Sequence, residues 1–389
     1  MFEAKVGSSV LEDAKAAGAE AAAAAAADDA KLAFVYCDCT YDVDAVVAGV
    51  KEVLPGVAVL GNTSFGSVIV PGGNVGDGTP FVGVMTFAGD ELAVGIAGVD
   101  RAGVECPVTA GADIAKAAMA AAGRSDAPDY FYMAASPAEE EFYLKGISSV
   151  VGRIPFFGGS AADNTIAGEW KLYTGDAPAF ADGCIVAFLY DAPTMTNVFT
   201  GAYHETDDFG VITKVADNRA LVEIDGVPAR DKYQQWMGVD DAAVEGGALL
   251  STSITSPLGV KDRLGDLVAI RHPMNGNDDH SIACGNNLAE KTCVIRMEAT
   301  VDELISSVPD TIEALKAKMP GEPLALHLVH CGGRKAGIGD RVGEVVEAVQ
   351  AACGDIPFIV EFTFGEYGYV SDNNNTCGGL MLSFTGFSA

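Results

Sequence analysis

One arrangement of elements returns three times along this chain of 389 residues, and that recurrence limits its fold more than any single motif. The strand-length apolar run LAFVYCDC, from Leu32, is followed by Asp42 as a helix N-cap and the amphipathic stretch VDAVVAGVKEVL, which Pro55-Gly56 ends. A short run VAVLG, the turn Asn62 to Gly66 and two further strand-like runs, FVGVMTFAG and LAVGIAGVD, complete the unit. The order recurs from Asp129 as DYFYMAAS, a helix opening at Pro137, FFGGSAAD and GCIVAFLY. It recurs near the end as LALHLVHC, RVGEVVEAVQAAC, PFIVEFTFGEYG and GGLMLSFTGF. Phe34 to Gly61 and Phe131 to Gly158 span the same 27 residues, and the three first strands finish on Cys39, Ser136 and Cys331. Internal repetition of this kind predicts an α/β fold of repeated strand-helix-strand-hairpin units, with mixed sheets flanked by helices.

Around the repeats, Ser9 and Glu12 form a capping-box pattern ahead of the alanines 21–27, so residues 1–30 read as one Ala-rich helix. The length suits two domains. The expected division gives an α/β domain over 31–215 and a second over 216–389, with the boundary between Lys214 and Asp225. A bridge, EIDGVPARDKYQQWMG through LVAIRHPM to CVIRME, joins the second unit to the third, and Val301 to Met319 reads as one more helix.

Composition removes several classes of function. Acidic residues outnumber basic ones 54 to 24, giving a net charge of −30 that repels nucleic-acid phosphates and anionic membranes. No run approaches the ~18 apolar residues of a membrane span, and Met1 to Val6 lacks the order of a secretion signal, so the expected location is the cytoplasm. The nine cysteines are scattered rather than set at ligand spacing, which argues for reduced, buried thiols and no metal site. No glycine turn matches a Walker loop or a dinucleotide fingerprint.

Several phrases resemble the two modules of the FIST family, in order and over nearly the whole chain from Leu32. VAVLGNTSFG and FFGGSAADN are similar to the N-terminal module; EIDGVPARDKY, LVAIRHP, HLVHCGGR, FTFGEYGY and NNNTCGGLML are similar to the C-terminal one. The resemblance implies an intracellular sensory protein that binds small ligands such as amino acids and signals through a separate protein partner. Some members of the family are haem proteins, so haem enters as a minor cofactor expectation, with His272 and His204 as the histidines to examine.

Ligands of open α/β sheets bind beyond the carboxyl ends of strands, and three turns there carry suitable residues. At Cys331-Gly332-Gly333-Arg334 the glycines admit a ligand close to the backbone, and Arg334 offers a fork for a carboxylate. Gly365 and Glu366, with the asparagine turn ending in Asn375-Thr376, offer a carboxylate and amides for an ammonium group. Arg334 and Glu366 would together clamp a zwitterion. The N-terminal turns contribute Asn62, Ser64, Ser160 and Asp163 as hydroxyl, amide and backbone donors for an anion. A thiol hydrolase built on Cys331 needs a base other than His330, which faces the opposite side of the strand, or His327, ~13 Å along it; His272 and His280 are the alternatives. No catalytic residue is assigned, and an interaction scaffold is the further alternative.

Overall fold

The computed structural model describes residues 2–261, 268–369 and 375–389. It is a mixed α/β protein in which the predicted unit occurs three times. Each unit contributes a parallel pair of strands to a six-stranded sheet: Ala30–Cys37 beside Ala58–Thr63, Tyr130–Ala135 beside Phe156–Ser160, and Pro323–Cys331 beside Phe358–Thr363. The unit's closing strand (Val82–Ala88, Gly183–Tyr190 or Leu382–Ser388) lies antiparallel on the other side of the first strand. Its opening strand (Glu3–Ser9, Ala93–Asp100 or Thr194–Thr200) forms the edge.

The other edge of every sheet belongs to a different unit. The hairpin Ser67–Val70/Gly73–Gly76 completes the third sheet, with Val68 opposite Glu361. The hairpin Leu172–Thr174/Ala177–Phe180 completes the first, with Leu172 opposite Asn62. The hairpin Glu366–Gly368/Thr376–Gly378 completes the second, with Glu366 opposite Gly159. The exchange is cyclic, so the three sheets enclose one common core containing Phe34, Leu60, Tyr132, Phe157, Ile359 and Phe387.

Helices pack in pairs on the outer faces: Ala14–Ala24 with Val43–Val53, Pro107–Ala121 with Glu140–Val151, and Val301–Lys318 with Val342–Cys353. Glycine sets the first contact. A Cβ on Gly18 would lie 2.2 Å from the Val46 carbonyl oxygen, and one on Gly49 2.0 Å from that of Lys15. Gly111 and Gly146 repeat the device in the second pair.

The N-terminus differs from the single expected helix. Glu3–Ser9 is a strand, because its alternating burial matches the sheet edge, and the helix starts only at Ala14, capped by Asp13 rather than Ser9. Its alanines are no surface run: Ala17, Ala21, Ala22 and Ala25 are fully buried, where only small side chains fit between helix and sheet.

In the third unit the link from the opening strand to the first helix is expanded into residues 201–300. They form an eight-stranded antiparallel sheet ordered Val268–Arg271, Leu258–Lys261, Cys293–Glu298, His204–Ala216, Ala220–Ile224, Ile282–Cys284 and Pro273–Gly276, with Val227–Pro228 beside Ala220–Ile224. The helix Ala229–Met237 packs on it through Ala229 and Tyr233. The expected boundary at 215/216 falls within this insert, near the end of its longest strand.

Candidate functional site: a cavity where three strand ends meet the insert

Following the strands to their carboxyl ends leads to one cavity of about 360 Å³. Phe65 comes from the turn after Ala58–Thr63, and Pro137, Ala138, Ile166 and Trp170 come from the second unit. Cys331, Gly332, Gly333, Phe364, Gly379 and Leu380 come from the third. The insert supplies the roof: Arg219, Leu250, Ser251, Ile254, His272, Met274, Cys284 and Gly285. Phe364 bridges the aromatic wall, 5.8 Å from the Phe65 ring and 6.1 Å from that of Trp170. Volume and apolar lining both suit a small organic ligand held by few polar groups.

The backbone marks the same place. Among the described residues, non-glycine positive φ occurs mostly at Asp, Asn and His, which tolerate it in turns, and once at Lys291. The three apolar residues in this conformation are Ala138 (φ 134°), Ile166 (φ 59°) and Leu380 (φ 55°), and all three line the cavity. Such conformations cost about 1–3 kcal/mol each and collect at functional sites, held by the surrounding structure.

Roof and floor are tied together by charge. Arg219 Nη2 lies 3.0 Å from Glu140 and 2.7 Å from Glu141 at the start of helix Glu140–Val151. The Asn287 N–H donates to Glu141 at 3.0 Å and the Asn286 amide to Glu140 at 3.3 Å. Burial and the adjacent Glu141 raise the Glu140 carboxyl above its ordinary range, with Arg219 pulling the other way. Beside the floor, Lys335 Nζ donates to the Phe65 carbonyl at 2.8 Å and Ser67 Oγ at 2.6 Å, and burial pushes it down to about 8.

Two of the candidate ligand residues, Cys331 and Gly332, line the cavity. Arg334 is fully buried, but its guanidinium turns toward helix Val301–Lys318, donating to the Leu304 carbonyl at 2.8 Å and Ser307 Oγ at 2.6 Å. Glu366 stands behind the wall, accepting from Thr363 Oγ1 at 3.1 Å and the Met381 N–H at 2.9 Å, and burial pushes it up to about 8. Neither arm of the zwitterion clamp therefore lines the cavity. Gly365 accepts from the Ser160 N–H at 2.7 Å, where the third unit's hairpin meets the second sheet. Ser160 Oγ lies 2.8 Å from the Tyr367 hydroxyl, and Ser64 Oγ closes a buried turn onto the Ser67 carbonyl at 2.9 Å. Asp163 accepts from the Thr165 and Glu169 N–H groups at 3.0 and 2.7 Å, folding its own loop. Asn375 donates to the Ile154 carbonyl, and with Thr376 it lines a separate depression beside Lys145 and Arg153; the preceding asparagines 373 and 374 lie outside the described residues.

Asn62 sits deepest, in a polar cluster inside the common core. It accepts from the Tyr132 hydroxyl at 2.8 Å and donates to Glu361 at 3.0 Å, while Tyr36 lies 2.5 Å from His327 Nε2. Burial pushes Glu361 up to about 8 and His327 down to about 3. At 3.7 Å they have the spacing of an ion pair, but both are driven toward their neutral forms and we read them as uncharged.

His330 turns away from Cys331's surroundings, packing on Phe362 with Nδ1 2.9 Å from the Cys331 carbonyl. The two histidines singled out for haem lie in different surroundings, His272 buried at the cavity and His204 on the surface. His272 spends Nε2 on the Leu250 carbonyl at 3.1 Å, and exposed His204 is bonded to Glu303 at 2.9 Å. Among the described residues, no cluster of three or more acidic, histidine or cysteine side chains could hold a metal, and no helix is long and apolar enough to cross a membrane.

Two of the turns named from the sequence border the cavity through neighbours of the polar residues chosen there. Phe65 adjoins Ser64 and Phe364 adjoins Gly365, and the aromatic neighbours are the ones that line the cavity. The signal available was the aromatic residue at each strand end; none announced the roof.

Comparison with known proteins gives the following. No curated protein matches. Solved structures that align include a cyanuric acid hydrolase from A. caulinodans (10% identity, all of both chains, TM-score 0.39). They also include phosphoribosylformylglycinamidine synthase II from Thermotoga maritima (12% identity, 99% of this chain and 72% of that one, TM-score 0.24). At TM-scores this low neither carries an inference about fold or activity. With residues 31–227 matching the FIST N domain and 229–369 the FIST C domain, the chain belongs to the FIST family, whose domains are small-ligand sensors of signalling proteins.

Proposed function

We propose that this protein is a cytoplasmic sensor whose ligand is a small amphipathic metabolite, an amino acid with an apolar or aromatic side chain being the preferred class, and that it signals through a separate protein partner. The observation that carries this reading is the cavity of about 360 Å³, aromatic on its floor, roofed by the insert and bordered by all three strained apolar residues. An apolar side chain packs on Phe65, Trp170 and Phe364, while Arg219 and Ser251 offer polar contacts at the roof. Because the roof and floor belong to different parts of the fold and meet through Arg219, Glu140 and Glu141, occupancy changes how the insert is held. The insert is thus the element that presents the signal to a partner.

Thermal melting against a panel of amino acids tests this. A ligand at 100-fold excess over its Kd stabilises the folded form by about 2.7 kcal/mol. With an unfolding entropy of roughly 0.8 kcal/mol/K for a chain of this length, the melting temperature rises by about 3 °C. Phe364→Ala removes the central aromatic contact and lowers the affinity. A panel that leaves the melting temperature unmoved refutes the amino-acid reading.

A further inference from the structure

The cavity holds a nucleophile and a base that ligand binding alone does not use. Cys331 Sγ and the His272 ring flank one point, the position a Cβ on Gly333 would take, at 3.5 Å from Sγ and 3.6 Å from His272 Cε1. Both residues line the cavity, with only 3% and 5% of their surface exposed. The Leu250 carbonyl can only accept, so His272 Nε2, 3.1 Å away, carries the proton. That tautomer leaves Nδ1, the nitrogen bonded to Cε1, with a bare lone pair and no hydrogen-bond partner among the described residues. A buried imidazole with a free acceptor beside a thiol is an arrangement for moving the thiol proton.

We propose that Cys331 adds reversibly to the carbonyl carbon of a small apolar aldehyde in this cavity, with His272 Nδ1 relaying the thiol proton to the carbonyl oxygen. In this step the S–H bond breaks and an S–C bond forms. The carbonyl π pair becomes an O–H bond with the relayed proton, giving a neutral hemithioacetal with no further reactant. The chemistry fits the surroundings better than acyl transfer does. An apolar wall penalises charge, and addition starts and ends neutral. Burial, with Glu366 beside it, raises the thiol above its ordinary range, so sulfur can attack only as a base takes its proton, the part given to His272. The aldehyde's apolar body then lies against Phe65, Trp170 and Phe364.

This inference rests on the cavity being a ligand site, and its test separates the two ideas. The protein is titrated with benzaldehyde carrying ¹³C at the carbonyl and followed by ¹³C NMR, alongside thermal melting with the same compound. Wild type is expected to give a saturable resonance of a tetrahedral carbon. Cys331→Ser loses it, and His272→Gln reaches the same adduct level about 10²-fold more slowly, the usual scale of general acid–base assistance. Wild type without that resonance overturns the proposal. If benzaldehyde still raises the melting temperature, non-covalent binding stands without it. A tetrahedral resonance that persists in Cys331→Ser also overturns it.

Discussion

Replacing Glu361 by Gln tests the claim that the common core encloses a neutral carboxyl. Glu361 is fully buried, hydrogen-bonded to Asn62 at 3.0 Å and surrounded by Tyr36, Tyr132 and His327. Burial lifts its carboxyl from the ordinary 4.5 to about 8. Between those values the folded protein keeps a proton that the unfolded chain has released, so stability falls as pH rises. The slope for one such group is about 1.4 kcal/mol per pH unit. Between about pH 6.5 and 8 the loss due to Glu361 is therefore at most about 2 kcal/mol. Glu366, also lifted to about 8, contributes the same sign in the same window, while buried His327 and His330, pushed down to about 3, act mainly below pH 6.5. Wild type should thus lose stability faster than Glu361→Gln, in which the amide keeps the size of the acid, by up to about 1.4 kcal/mol per pH unit. Urea unfolding at several pH values across that window measures both slopes. Equal slopes would show that Glu361 is ionised in the folded state, and the account of the core would be wrong.

Three further outcomes follow from packing. Gly49→Ala places a methyl group 2.0 Å from the Lys15 carbonyl oxygen and forces the first helix pair apart, at a cost of about 2–3 kcal/mol by chemical denaturation. Gly72→Ala, with nothing within 4 Å, should leave stability within about 0.5 kcal/mol. Leu250→Trp, from the roof of the cavity, should fill it and abolish any ligand-induced rise in melting temperature while leaving the circular dichroism of the fold unchanged.

The threefold unit was legible because each repeat writes the same periodicities in the same order, and strand, capped helix and strand are local features. Asp42 is the cap expected of it, accepting from Ala45. The N-terminal strand was missed because helix propensity in the alanine run outweighed a short alternation, Glu3 to Ser9, whose partner Val82–Ala88 lies far along the chain. The cavity was half legible. Its floor follows from the rule that sites form beyond strand ends, which located Cys331 and Gly332. The roof depends on how residues 201–300 fold over units distant in sequence, and no local pattern in Leu250, His272 or Arg219 points to Phe65 or Trp170. Arg334 shows the limit from the other side. Its charge and its place after a glycine pair suited a ligand, but the direction of the guanidinium was decided by the Leu304 carbonyl and Ser307 on a separate helix.

The cyclic exchange of hairpins also governs how such a chain must be made. The hairpin Ser67–Val70/Gly73–Gly76 leaves the ribosome long before its partner strand, Phe358–Thr363. The first sheet waits for the second unit, the second for the third, and the third closes back on the first. No nascent fragment that lacks the third unit can satisfy all its strand edges. Arrival of the third unit is therefore the event that seals the ring, and a chain lacking it would carry open edges in its sheets, the kind of surface that recruits chaperones or nucleates aggregates.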